Sequence, residues 1–159
     1  MAGSDTPVIV LVDDEDMVVT SIKSFLTLET DYHVKGFTNP AEAIEFIKSN
    51  KVDVVVSDYL MPEIDGISFL AKVKEIQPEA TRILLTGYAD KENAIKAIND
   101  VGLYQYIEKP WENDDLKLII RNGLEKRILL KKLEDKIAEV NRAHDELMSL
   151  QRDILKAFA

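Results

Sequence analysis

Read for its apolar positions, the chain alternates five times between short unbroken apolar runs and longer stretches with helical periodicity. The runs are Val8 to Val12, His33 to Phe37, Val52 to Ser57, Arg82 to Thr86 and Tyr104 to Ile107. They show little period-two alternation, the pattern of strands buried on both faces of a parallel sheet. Helical periodicity covers Met17 to Thr30, Pro40 to Asn50, Ile67 to Ile76 and Lys91 to Val101, and a further helix begins near Asn113. Asn39 before Pro40, with Glu42 three residues on, marks a capped helix start, and Asp90 and Asn113 are placed to cap two others. Asp65-Gly66 reads as a turn and helix start, with Gly66 supplying backbone freedom. Right-handed crossovers make this a doubly wound five-stranded α/β fold, whose site lies at the carboxyl ends of the strands.

The last third follows a different rule. From Leu130, positions Leu133, Ile137, Val140, Leu147, Ile154 and Phe158 continue a seam spaced alternately by three and four, interrupted by His144 and Gln151. No proline follows Pro110, and Gly123 is the only candidate for a break or hinge. The fifth helix is therefore expected to run on as a long amphipathic extension, dimerising as a parallel coiled coil with His144 and Gln151 fixing its register. Folding back on the globular part, or leading into an output domain, are the other uses of such a stripe. The expected organisation is a polar tail over residues 1–7, a globular domain over 8–125 and a helical extension over 126–159.

Composition narrows the classes. The 159 residues contain no cysteine, which excludes disulfides and thiolate metal sites. No apolar run has the length of a membrane span, and the first seven residues lack a signal-peptide pattern, so the cytoplasm is the expected location. The net charge of −9 lies entirely before Pro110: residues 1–109 carry 19 acidic and 10 basic side chains, residues 110–159 ten of each. Direct nucleic-acid binding is not expected, because neither part offers a basic field.

The chemistry gathers at the strand ends: Asp13-Asp14 after the first strand, Asp58 ending the third, Thr86 ending the fourth and Lys109 after the fifth. A carboxylate at the mouth of a buried strand is costly without a partner or a task. Three carboxylates at one edge repel unless protonated or bound to a hard cation, and oxygen donors without His or Cys point to Mg²⁺. A carboxylate nucleophile beside Mg²⁺, an ammonium and a hydroxyl suits phosphoryl transfer. Asp58 would attack phosphorus, Lys109 would neutralise the equatorial oxygens with the cation, and Thr86 would donate a hydrogen bond.

The set formed by Asp13-Asp14, the stretch Asp58-Tyr59-Leu60-Met61-Pro62-Glu63-Ile64-Asp65-Gly66, Leu85-Thr86-Gly87 and Lys109-Pro110 resembles the receiver domain of two-component response regulators, over Val8 to about Glu125. The resemblance implies a flavodoxin-like sheet of receiver type and makes Asp58 the phosphoacceptor, loaded by a sensor histidine kinase or phosphotransfer protein. It implies Mg²⁺ held by Asp14 and Asp58 directly, by Asp13 through water, and by the Leu60 backbone carbonyl. Thr86 and Tyr106 become a switch pair acting on the face of the fourth helix, fifth strand and fifth helix, and Lys109-Pro110 a cis bond. Leu60 and Tyr88, at positions that govern water access in such domains, imply a long-lived phosphoryl state.

Three competing readings are weaker. An aspartate-nucleophile phosphohydrolase would need a second Asp where Leu60 stands. A purely structural coiled-coil adaptor would leave the acidic set without a task. His144-Asp145-Glu146-Leu147 only faintly resembles a histidine-kinase phosphoacceptor, and a histidine on such a seam is more simply a polar register residue.

Overall fold

The computed structural model describes residues 6–87 and 90–157. Five parallel strands, β1 (Val8–Val12), β2 (His33–Phe37), β3 (Val54–Asp58), β4 (Thr81–Thr86) and β5 (Gln105–Glu108), lie in the order β2-β1-β3-β4-β5. Helices α1 (Asp16–Glu29), α2 (Pro40–Ser49), α3 (Gly66–Ile76), α4 (Lys91–Asp100) and α5 (Asn113–Ala157) follow the strands in turn. The chain divides into two compact units, the first ending at Leu124 and the second beginning at Glu125.

Unbroken apolar runs arise because each central strand feeds two cores. Val10, Val12, Val55 and Leu84 point into a cluster with Ala43, Phe69, Leu70 and Ala94 of α2, α3 and α4. Ile9, Leu11, Val54, Val56, Ile83 and Leu85 point the other way, onto Ile22 and Leu26 of α1 and Leu116 and Ile120 of α5. Alternate residues of a strand face opposite sides, so burial on both sides demands apolar residues at every position.

The structure moves several expected boundaries. β3 begins at Val54 instead of Val52, because the backbone nitrogen of Val52 donates to the Gln77 side chain and the Asp53 carboxylate accepts from the backbone of Val8. Asn39 caps α2 by accepting from Ala41 N at 2.8 Å. Asn113 is instead the first residue of α5, with the Glu112 carbonyl accepting from Leu116 N. No break falls at Gly123: α5 is one helix, and the buried glycine serves close packing, since a Cβ there would lie 2.8 Å from Thr81 Cγ2.

Gly66 is likewise a matter of contact instead of backbone freedom. It lacks a positive φ, but a Cβ would stand 2.1 Å from the Asp58 carbonyl oxygen. Asp65 caps α3, accepting from Ser68 N at 2.8 Å. The Asp58–Gly66 turn is closed by Tyr59 N donating to Leu85 O and Gly66 N donating to Tyr59 O, both at 2.8 Å. These bonds hold the end of β3 against its neighbours.

An acidic site at the carboxyl edge of the sheet

The carboxyl edge brings together side chains far apart in sequence. Carboxylate oxygens of Asp13, Asp14 and Asp58 lie within 4.8 Å of one another, Asp13 and Asp58 buried and Asp14 exposed. Lys109 Nζ reaches into this group, 2.7 Å from Asp58 Oδ1 and 3.9 Å from Asp13 Oδ2. The peptide bond that follows Lys109 is cis. Lys109 N donates to Thr86 O at 2.8 Å, which ties the lysine's backbone to the end of β4.

Asp13 is the electrostatic anomaly. Only 2% of its surface is exposed. Its Oδ1 accepts from Glu15 N at 2.9 Å, while the buried Oδ2 has no hydrogen-bond partner. Burial raises its pKa from 3.8 to about 6; the hydrogen bond from Glu15 opposes this, and the neighbouring Asp58 charge adds to it. For Lys109, burial favours the neutral amine, but the hydrogen bond and charge of Asp58 outweigh it and hold the pKa above its ordinary value. The donor set fits a hard divalent cation: oxygens only, converging, one buried without a hydrogen bond.

A pH dependence follows with a definite sign. Because the folded pKa of Asp13 is raised, the proton is bound more tightly in the fold, and its loss between about pH 4 and 6 destabilises the cation-free protein. A cation needs the ionised carboxylate, so its binding strengthens over the same window. We expect the increase in Tm on adding Mg²⁺ to be larger at pH 7.5 than at pH 5, measured by paired thermal melts. An equal increase at both would show that Asp13 does not take part.

The remaining predicted residues occupy distinct places. Thr86 is fully buried at the end of β4, and its hydroxyl donates to Gly87 O at 3.2 Å, turned to the backbone and not to Asp58. Tyr106, half-buried on β5, packs against the α2–α4 core and pairs in register with Leu84. Alternation puts Thr86 on the same face of the sheet as Leu84, so Thr86 and Tyr106 share one side on adjacent strands. Leu60 projects into solvent, 63% exposed, and Tyr88 lies outside the described residues.

Two contacts were not read from the sequence. Tyr59, directly after Asp58, accepts on its phenol oxygen from Asn93 Nδ2 of α4 at 3.3 Å. Ser57 Oγ donates to the Asp58 carbonyl at 3.0 Å and lies 3.9 Å from Met61 Sδ. Position beside Asp58 was the only signal for either, and nothing in the spacing names Asn93 as a partner.

Residues 9–121 match the response regulator receiver domain family. The chain is 35% identical over 117 residues to the hydrogenase transcriptional regulatory protein HoxA of Cupriavidus necator, covering 74% of this chain and 24% of that protein. It is 28% identical over 148 residues to the response regulator Rre1 of Synechocystis, covering 92% of this chain and 64% of Rre1. The chain thus spans a quarter to two thirds of these relatives. The crystal structure of a response regulator receiver domain protein from Clostridium thermocellum superposes with a TM-score of 0.73 at 32% identity, over 78% of this chain and 98% of that one. Among the described residues, no helix is long and apolar enough to cross a membrane.

Proposed function

The chain belongs to the response regulator receiver domain family, and from that membership we propose that Asp58 is its phosphoacceptor, with Asp13, Asp14 and Lys109 forming the rest of the reaction site. Receiver domains are phosphoacceptor regulatory domains that take their phosphoryl group from histidine kinases or phosphotransfer proteins. The observation that carries the assignment is the 2.7 Å contact of Lys109 Nζ with Asp58 Oδ1 inside a three-carboxylate cluster.

In this reading an oxygen of the Asp58 carboxylate attacks the donor phosphorus, and the bond from phosphorus to the leaving group breaks, its electron pair departing with that group. Lys109 holds the carboxylate in place and then faces the negative charge left on the phosphoryl oxygens. Asp13, Asp14, Asp58 and the Leu60 carbonyl would hold Mg²⁺, which when bound supplies positive charge to those oxygens. Thr86, now bonded to Gly87 O, would release that carbonyl and donate to the phosphoryl group. Tyr106, on the same side of the sheet, would move into the space vacated.

The signal would leave through the face formed by α4, β5 and α5, in the cytoplasm, and the extension over 126–159 would pair two copies or lead to an output domain. Its support is the exposed apolar stripe of α5. The test is incubation with acetyl phosphate, with and without Mg²⁺, followed by intact mass and Trp111 fluorescence. A gain of one phosphoryl group per chain only with Mg²⁺ is expected. Steady release of inorganic phosphate from a phosphoester would indicate a hydrolase instead, and no response an inert adaptor.

The lifetime of that state is a separate expectation. Leu60 lies two residues after the acceptor, 63% exposed, and its side chain has no polar atom to orient an attacking water. Replacing it by asparagine supplies one, and the loss of phosphoryl label should quicken by roughly 10-fold, less than the roughly 100-fold or more of a general base, because an amide orients water without taking its proton. An unchanged rate in a pulse-chase measurement would remove Leu60 from any role in water access.

A further inference from the structure

We propose that α5 pairs with a second copy of the chain along a seam that changes row at Val140, and not along one unbroken heptad; this rests on the dimer reading above. Seven large apolar side chains of the extension, Leu130, Leu133, Ile137 and Val140 in its first half and Leu147, Leu150 and Ile154 in its second, are each 48–58% exposed. A stripe left this open along a helix is what an opposing helix covers.

An unbroken heptad from Leu130 is apolar only as far as Val140. Beyond it the row that began with Leu130 and Ile137 continues as His144 and Gln151, both exposed. One row to the other side, Ala143, Leu150 and Ala157 complete an apolar seam with Val140, Leu147 and Ile154. Following the apolar residues throughout gives spacings of three, four, three, three, four, three, four and three. The two consecutive threes meet at Val140. Such a three-residue discontinuity overwinds a coiled coil locally and turns the second half of each helix by about one seventh of a turn relative to a continuous heptad.

Charge favours both the second copy and the step. Residues 125–159 carry seven acidic and eight basic side chains, so two extensions can meet without net repulsion, although residues 1–124 carry 22 acidic and 12 basic. In a parallel pair, each flanking residue before the seam faces the partner helix five positions further on. With the step, Glu139 of one copy faces His144 of the other and Glu146 faces Gln151, an acceptor against a donor each time. In the first half Lys136 faces Asn141. Alanines at two of the second-half positions allow the helices to approach closely there.

The chain has no cysteine, which makes its 159 residues a clean background for disulfide mapping. Single substitutions Ile137→Cys, Leu150→Cys and Gln151→Cys would be oxidised under mild conditions, with and without beryllofluoride and Mg²⁺, while sedimentation gives the oligomeric state. In the dimeric state, cross-linking is expected to be efficient at 137 and 150 and weak at 151. Leu150→Gln should weaken the dimer by roughly 30-fold or more, whereas Gln151→Ile should change it by less than about threefold. Efficient cross-linking at 137 and 151 but not 150, with the two affinities reversed, would leave a dimer and overturn the step. A dimer that cross-links at none of the three positions is not a parallel pair through this stripe and overturns the proposal. A monomer in both states overturns it together with the dimer reading, while Asp58 phosphorylation stands untouched.

Discussion

Asp58→Asn abolishes the phosphoryl adduct while leaving the fold intact: this is the largest expected effect on function. The amide has nearly the shape of the carboxylate, so the buried end of β3 keeps its packing, but it lacks the nucleophilic charge. Its carbonyl oxygen can still accept from Lys109 Nζ, which now sits 2.7 Å from Asp58 Oδ1. Labelling by acetyl phosphate should fall by at least roughly 1,000-fold, the order of loss when a nucleophile is removed. A second readout separates the site's electrostatics from its chemistry. The Asp58 charge is one of the influences raising the Asp13 pKa to about 6, so in the variant Asp13 should titrate at a lower pH. NMR titration of the Asp13 carboxyl carbon follows this directly. Labelling at near wild-type rate would move the acceptor elsewhere, and Asp13 and Asp14 would be the carboxylates to replace next.

How much of this was legible in the sequence depended on whether a signal is local. The β1 and β2 bounds and the start of α2 were readable, because an apolar run, a cap and a proline act on their own neighbours. The clustering of Asp13, Asp14, Asp58 and Lys109 was readable for a topological reason: a parallel sheet delivers all its carboxyl ends to one edge, so these side chains meet without any pairwise signal. What could not be read depends on a contact with a distant partner. Val52 and Asp53 resemble strand residues, yet their hydrogen bonds go to Gln77 and Val8. Arg82 looked like a polar strand start. It is a buried cation on β4, its guanidinium donating to the carbonyls of Pro78, Ala80 and Gly102. Both corrected glycines belong to this class. Their composition suggested flexibility, whereas Gly66 and Gly123 are small because something stands against them.

Gly66→Ala is expected to have the largest effect on stability, and it reaches the site through the same contact. The added Cβ would lie 2.1 Å from the Asp58 carbonyl oxygen, 2.9 Å from its carbonyl carbon and 2.8 Å from Leu84 Cδ1. Leu84 can turn aside; the Asp58 backbone cannot move without disturbing its pairing with β4 and the Gly66 N to Tyr59 O bond that closes the turn. We expect a cost of about 2–4 kcal/mol, the upper range for overpacking where the backbone must yield. At this chain length that corresponds to a fall in Tm of roughly 10 °C. Displacing the peptide of Asp58 also displaces its carboxylate from Lys109, so phosphorylation per folded molecule should slow as well. Gly123→Ala is the informative control: its Cβ meets the terminal methyl of Thr81 at 2.8 Å, on α5 and far along β4 from the acidic edge. It should lower Tm and leave the labelling rate of the folded fraction unchanged. Equal slowing in both variants would mean that lost stability alone sets the rate, and a Gly66→Ala protein melting within 2 °C of wild type would show that the turn has room the contact denies.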